Sequence, residues 1–347
     1  MTYSKNKTLK LYSIVFFTGI ITLNSCGEHS TLKKITPDII TEKTANDSDD
    51  PAIWINKKDP SKSIVFGTDK DTNGAIYAFD LEGKIIQDKT IKGIKRPNNI
   101  DLSYDFQLND STKVDVIAFT ERENQQIRLF SVPEMNVLDN GGFKVFEDES
   151  NESFKYPMGI ALYKSPISNK TYAIVSRKEG PKSNYLYQYE FASDSIGISS
   201  KLVRKFGNFS GKKEIEAIAV DNELGFIYYS DEQHCIRKYY AEPEKGNEEL
   251  SCFANDKFKS DIEGIAIAKT TDKSGYIIVS DQQRGTFNIF DRETNKFIKT
   301  VNLSTIETDG CDVTTAPLNA MFSSGLFVAM NDEKNFFFYD FNKLLNE

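Results

Sequence analysis

Lys70, Arg122, Lys178, Glu232, Gln282 and Asp332 follow one another at intervals of 52, 56, 54, 50 and 50 residues. Each stands at the end of an apolar run, such as Ile64-Val65-Phe66 in the first copy and Leu326-Phe327-Val328 in the last. A second column precedes it: Asp50, Asn98, Met158, Glu216, Glu263 and Asp309, at intervals of 48, 60, 58, 47 and 46 residues. If equivalent positions form a ring, its first half carries Lys70, Arg122 and Lys178. Its second half carries Glu216, Glu232, Glu263, Asp309 and Asp332. A cationic arc then faces an anionic arc. Carboxylates in that number suit a hard cation, and lysine with arginine suits phosphate. Glu216 and Glu263 are also embedded in apolar sequence, Ile215-Glu216-Ala217-Ile218 and Ile262-Glu263-Gly264-Ile265. Burying a carboxylate there is costly unless it is paired or binds metal. Several acids converging repel one another unless a cation sits between them.

The elements that must position these groups are strands. Asp49-Asp50-Pro51-Ala52-Ile53-Trp54 opens one strand, Ser63 to Gly67 forms the next, and Asn73-Gly74 turns into a third, Ala75 to Asp80. Short strands closed by turn residues read as an antiparallel meander. The chain is 39% hydrophobic and 12% aromatic, enough for a folded core. Six copies of a sheet unit of about fifty residues predict an all-β, six-bladed β-propeller. It should be one domain over residues 33–347.

The beginning of the chain reads differently. Lys5, Lys7 and Lys10 precede an apolar stretch from Leu11 to Leu23, too short for a permanent span. Leu23-Asn24-Ser25-Cys26-Gly27 then resembles a bacterial lipobox. Residues 1–25 are expected to be a signal peptide and 26–32 a tether, with Cys26 lipidated. The membrane would be met only through that anchor. The localisation expected is an exported protein on a bacterial membrane, the outer one, with the side left open.

Composition excludes several classes. The net charge is −8, and loss of the three signal-segment lysines leaves the mature chain near −11. Nucleic-acid binding needs a basic footprint, so it is not expected. With only His29 and His234, and neither near a nucleophile motif, a Ser-His-Asp site is not expected either. No Cys/His spacing suggests zinc. Beyond Cys26, an odd set remains: Cys235, Cys252 and Cys311. Cys311 reads as a buried free thiol, and pairing of Cys235 with Cys252 stays open.

These residues resemble a known family, the β-propeller phytases, which are calcium-dependent phosphatases of myo-inositol hexakisphosphate. The resemblance is carried by Asp49-Asp50-Pro51-Ala52-Ile53-Trp54, Asn98-Asn99-Ile100-Asp101 and Tyr104-Asp105-Phe106. Lys178-Glu179-Gly180, Asp261-Ile262-Glu263-Gly264, Thr308-Asp309-Gly310 and Gly325-Leu326-Phe327-Val328-Ala329 follow in order. It spans about residues 45 to 335. It implies active-site calcium ligands at Tyr156, Glu216, Glu232, Glu263 and Asp309, the first four of these also catalytic. It implies phosphate binding by Lys70, Arg122 and Lys178. A structural calcium would lie at Asp50 with the backbone of Pro51 and Ile100. Calcium and the basic arc would together support attack of water on phosphorus, with no covalent enzyme intermediate.

Two departures bear on the site. Ser103 stands where the family tends to have Arg, and one Thr-Asp-Gly copy replaces two, so Glu307 could substitute for a missing ligand. The expected substrate is phytate or another inositol polyphosphate as its calcium complex, and the expected state a monomer. A lactonase-like propeller hydrolase and a non-catalytic binding propeller are the alternatives. Neither needs three basic residues opposite the acids.

Overall fold

A computed structural model describes residues 32–109 and 111–346, together with Met1. Cys26 and the expected signal segment beyond Met1 lie outside the described residues.

The described chain forms six four-stranded antiparallel sheets. The first strands of the sheets are Ser48–Trp54, Pro97–Gln107, Pro157–Lys164, Ile218–Asp221, Ile265–Lys269 and Cys311–Thr314. Each of these touches the first strand of the next sheet, and the sixth touches the first, so the inner strands close a ring. This is the six-bladed propeller expected.

The second strands are Ile64–Asp69, Lys113–Glu121, Thr171–Arg177, Phe226–Asp231, Gly275–Asp281 and Leu326–Asn331. They are buried on both faces between neighbouring blades. That is why Tyr276-Ile277-Ile278-Val279 reads as a continuous apolar run rather than an alternation. The core is divided accordingly. Phe66 and Phe119 lie in the cluster between blades one and two, and Val175 packs with Val116 between two and three. The series ends with Val65, Phe79, Val328 and Phe336 between blades one and six.

The ring is locked by a strand from the wrong end of the chain. Ile39–Ile40 supplies the outermost strand of the sixth blade, with Ile39 opposite Phe338 and Ile40 opposite Phe337. The amide of Phe336 donates to Thr41 Oγ1 at 3.0 Å beside it.

Carboxylates also join blades near the axis. Asp312 Oδ2 accepts the amide of Ile53 at 2.7 Å, Asp50 Oδ2 that of Ile100 at 3.0 Å, and Asp101 Oδ2 that of Leu162 at 2.6 Å. Blades six, one, two and three are thereby linked strand to strand. At the far end of blade four, the fully buried Arg292 of blade five places Nε and Nη2 each 2.6 Å from the two oxygens of Asp221. Cys235 and Cys252 are joined in a disulfide across the third and fourth strands of blade four, and Cys311 is a buried free thiol. No helix of the described residues is long and apolar enough to cross a membrane.

Candidate active site

The register of the blades explains the charge column. Lys70, Arg122, Lys178, Glu232, Gln282 and Asp332 are each the residue directly after a second strand. Second strands end, and inner strands begin, at the same rim of the ring. Residues of both columns therefore meet around one mouth of the axial channel.

Four acids of the second half enter that mouth, three of them buried and Asp309 largely so. Glu232 is fully buried, and Glu216 and Glu263 nearly so. Burial, reinforced by Asp49, pushes the Glu216 carboxyl up to about 8. Burial does the same to Glu232, up to about 8, against the pull of Lys213. Glu263, buried beside Glu216 and Glu232, is pushed up to about 10. Asp309 rises to about 7, again chiefly by burial. The four cannot all be ionised in so small a volume without added positive charge. Asp332, by contrast, is exposed and stands apart.

The cations do not keep to a separate arc. Lys70 Nζ donates to Asp49 Oδ1 and Asp309 Oδ2, both at 2.9 Å. Burial alone would lower its pKa, but Asp49, Glu216 and Asp309 outweigh it and raise it. Lys178 Nζ lies 2.5 Å from Glu214 Oε1 and is the most open of the three. Arg122 is buried, its Nη2 directed at the sulfur of Met158 and its Nε without an acceptor. Burial lowers its pKa, partly offset by Glu216. Tyr156 is brought to the same rim: its carbonyl accepts the amide of Lys178 at 2.8 Å.

The inner strands must come close for this to happen. A Cβ on Gly159 would stand 1.8 Å from the carbonyl oxygen of Glu216. No side chain fits there, which is why blade three carries glycine beside the acid.

Asp50, Pro51 and Ile100 are also brought together, on the wall of an axial cavity of about 130 Å³ that includes Asp101 and Asp312. Burial pushes Asp101 up to about 6 and Asp312 to about 7. The contact between Asp50 and Ile100 is carboxylate to amide.

Asp49, Asp261 and Lys213 stand at the mouth but belong to neither column, and they meet residues that do. Asp49 is buried and accepts from Lys70 and from Asn98 Nδ2 at 3.2 Å. Asp261 lies beside Glu263, and Gln282 Nε2 donates to Asp309 Oδ1 at 2.6 Å. Lys213 reaches in from a loop. Asp49 and Asp261 could have been found as acids next to column positions, but nothing in the sequence marks Lys213. Glu307, half-buried with φ at 45°, takes part in none of the ion pairs among the described residues.

The donor set fits a hard cation. Single oxygens of Glu232, Asp261 and Glu263 lie within 4.8 Å of one another, as do those of Glu214, Glu216 and Glu232. Oε1 of the buried Glu232 accepts no hydrogen bond, and Oε2 meets the Lys213 ammonium at 3.1 Å. All these ligands are oxygen, as calcium prefers.

Comparison with known proteins adds three findings. The Phytase family matches residues 8–337. A 3-phytase of Bacillus subtilis (strain 168) is 29% identical over 319 residues, covering 86% of this chain and 79% of its own. The WD40 β-propeller domain of Doa1 superposes with a TM-score of 0.50 at 13% identity, over 83% of this chain and 77% of its own. That last likeness speaks to the fold alone.

Proposed function

The chain belongs to the Phytase family, and from that premise we infer a phosphatase that hydrolyses phytate with calcium held in its acidic cluster. One observation carries the reading. At the same mouth stand a buried carboxylate oxygen lacking a hydrogen-bond donor, Glu232 Oε1, and a buried guanidinium nitrogen lacking an acceptor, Arg122 Nε. The first is suited to a cation and the second to an anion, and a metal–phosphate pair satisfies both.

Glu216, Glu232, Glu263 and Asp309, with Asp261 added, would hold the metal. Tyr156 sits at their edge. Calcium, when bound, neutralises phosphate oxygens and acidifies water for attack on phosphorus. The protein's own part is electrostatic. Lys70, Arg122 and Lys178 hold the transferring phosphoryl group and stabilise the charge that develops on its oxygens. Their charges are fixed before the substrate arrives, because Asp49, Asp309 and Glu214 already position two of the three. A substrate with several neighbouring phosphates can engage the open Lys178 and the buried Arg122 together.

The same proposal includes export. The apolar stretch and lipobox at Cys26 support a lipid anchor, and mass spectrometry of the native N-terminus tests it: an unmodified start elsewhere overturns it. Activity is tested by phosphate release from calcium phytate by the purified chain. Release that stops with chelator and returns with calcium is expected; release indifferent to chelator overturns the calcium assignment.

A further inference from the structure

Lys213 lies in the loop between the outer strand of blade three, Ile198–Asn208, and the inner strand of blade four, Ile218–Asp221. Its ammonium points into the acid cluster. Nζ lies 2.5 Å from Asp261 Oδ2, 3.1 Å from Glu263 Oε1 and 3.1 Å from Glu232 Oε2. These are the three carboxylates whose oxygens converge within 4.8 Å.

The loop holds the lysine there. The Ser210 amide and hydroxyl donate to Asp231 at 2.8 and 2.6 Å, and the amide of Glu232 donates to the carbonyl of Glu214 at 3.1 Å. Backbone on both sides of Lys213 is therefore tied to the end of the second strand of blade four. The side chain is not: it is 33% exposed, so its four-carbon stem has room to swing outward.

An ammonium is a poor match for what surrounds it. It carries one charge against three carboxylates, and it leaves Glu232 Oε1 without a donor. A divalent cation would bring two charges and would sit at about 2.3–2.6 Å from the same oxygens. Ammonium and metal would then share one set of ligands, with like charges at contact distance. Holding both is strongly unfavourable.

We propose that Lys213 is a tethered stand-in cation: without metal its ammonium holds Glu232, Asp261 and Glu263 together, and a divalent cation must expel it to bind there. The lysine thus sets a threshold, so the catalytic cluster fills only when free calcium outcompetes a charge built into the loop. This rests on the calcium reading above.

The test is calcium titration by calorimetry into chelator-stripped protein, with melting curves in chelator and in calcium. Lys213→Met should bind calcium more tightly, on the order of tenfold, since a competing like charge is gone. It should also melt lower than wild type in chelator and show a larger rise on adding calcium. Lys213→Arg keeps the charge and should show no gain in affinity. Equal or weaker calcium binding by Lys213→Met overturns the inference. If that variant does not fold, amine labelling of wild type decides: Lys213 should react faster with calcium than in chelator, and equal rates overturn the proposal. A wild type that binds no calcium sinks the calcium reading and this inference with it. A wild type that binds, with Lys213→Met no tighter, sinks the inference alone.

Discussion

Lys70 and Asp309 are 239 residues apart in the chain and 2.9 Å apart in the fold. The pair ties the first blade to the turn that opens the last, and Asp49 shares the same ammonium. Removing the lysine leaves two little-exposed carboxylates facing each other. Lys70→Met should therefore lose about 3 kcal/mol of stability in chelator, the usual scale for breaking such a pair. Denaturant unfolding measures it. Calcium should restore part of the loss, because a metal can take over the charge.

Lys178 and Glu216 should fail in different ways. Lys178→Met is expected to raise KM for phytate and lower kcat, while calcium affinity holds or rises. Glu216→Gln is expected to lose calcium affinity and roughly 10²–10³ in rate, the scale of removing one preorganised charged group. Phosphate release and calcium binding measured on both variants would show it. Equal, small effects would mean that the mouth is a solvated surface.

Acidity bears on the metal-free protein. Burial pushes Glu216 and Glu232 up to about 8 and Glu263 to about 10 from an ordinary value of 4.5. Between about pH 4.5 and those values the folded state binds more protons than the unfolded one, so stability falls as pH rises. In chelator the melting temperature should drop from pH 6 to pH 9, and calcium should flatten the dependence. A melting temperature that climbs over this range in chelator contradicts the assignment.

Arg292 separates stability from activity. It and Asp221 are fully buried at the end of blade four away from Glu216. Arg292→Met should cost about 3–5 kcal/mol of stability by leaving Asp221 unpaired. Phosphate release per folded molecule should stay at the wild-type level, measured at a temperature where the variant remains folded.

The blades were legible because each second strand is sandwiched and therefore reads as an unbroken apolar run. The charge columns were legible because the residue after each such strand always lands on the same rim. The even split into a basic and an acidic arc was too simple. Lys70 is shared with Asp49 and Asp309, and Lys213 places a further positive charge inside the acidic half. Lys213 sits in a connecting loop, off the repeat, where spacing carries no signal. Ile39–Ile40 is not legible for a related reason: two residues show no periodicity, and their partner strand lies some three hundred residues further along the chain.

That closing strand fixes an order of events. Ribosomes deliver Ile39 and Ile40 ahead of every blade and their partners Phe337 and Phe338 only after five blades have emerged. Until then the newborn ring is a horseshoe, with an unpaired strand waiting at one tip. Contacts between such distant positions form slowly, and an open sheet edge invites pairing with a neighbouring molecule. The two tips of the horseshoe carry Lys70 and Asp309. The mouth where the two charge columns meet is therefore completed by the same act that shuts the circle, so a chain truncated before its last blade can build five sheets and still lack that mouth.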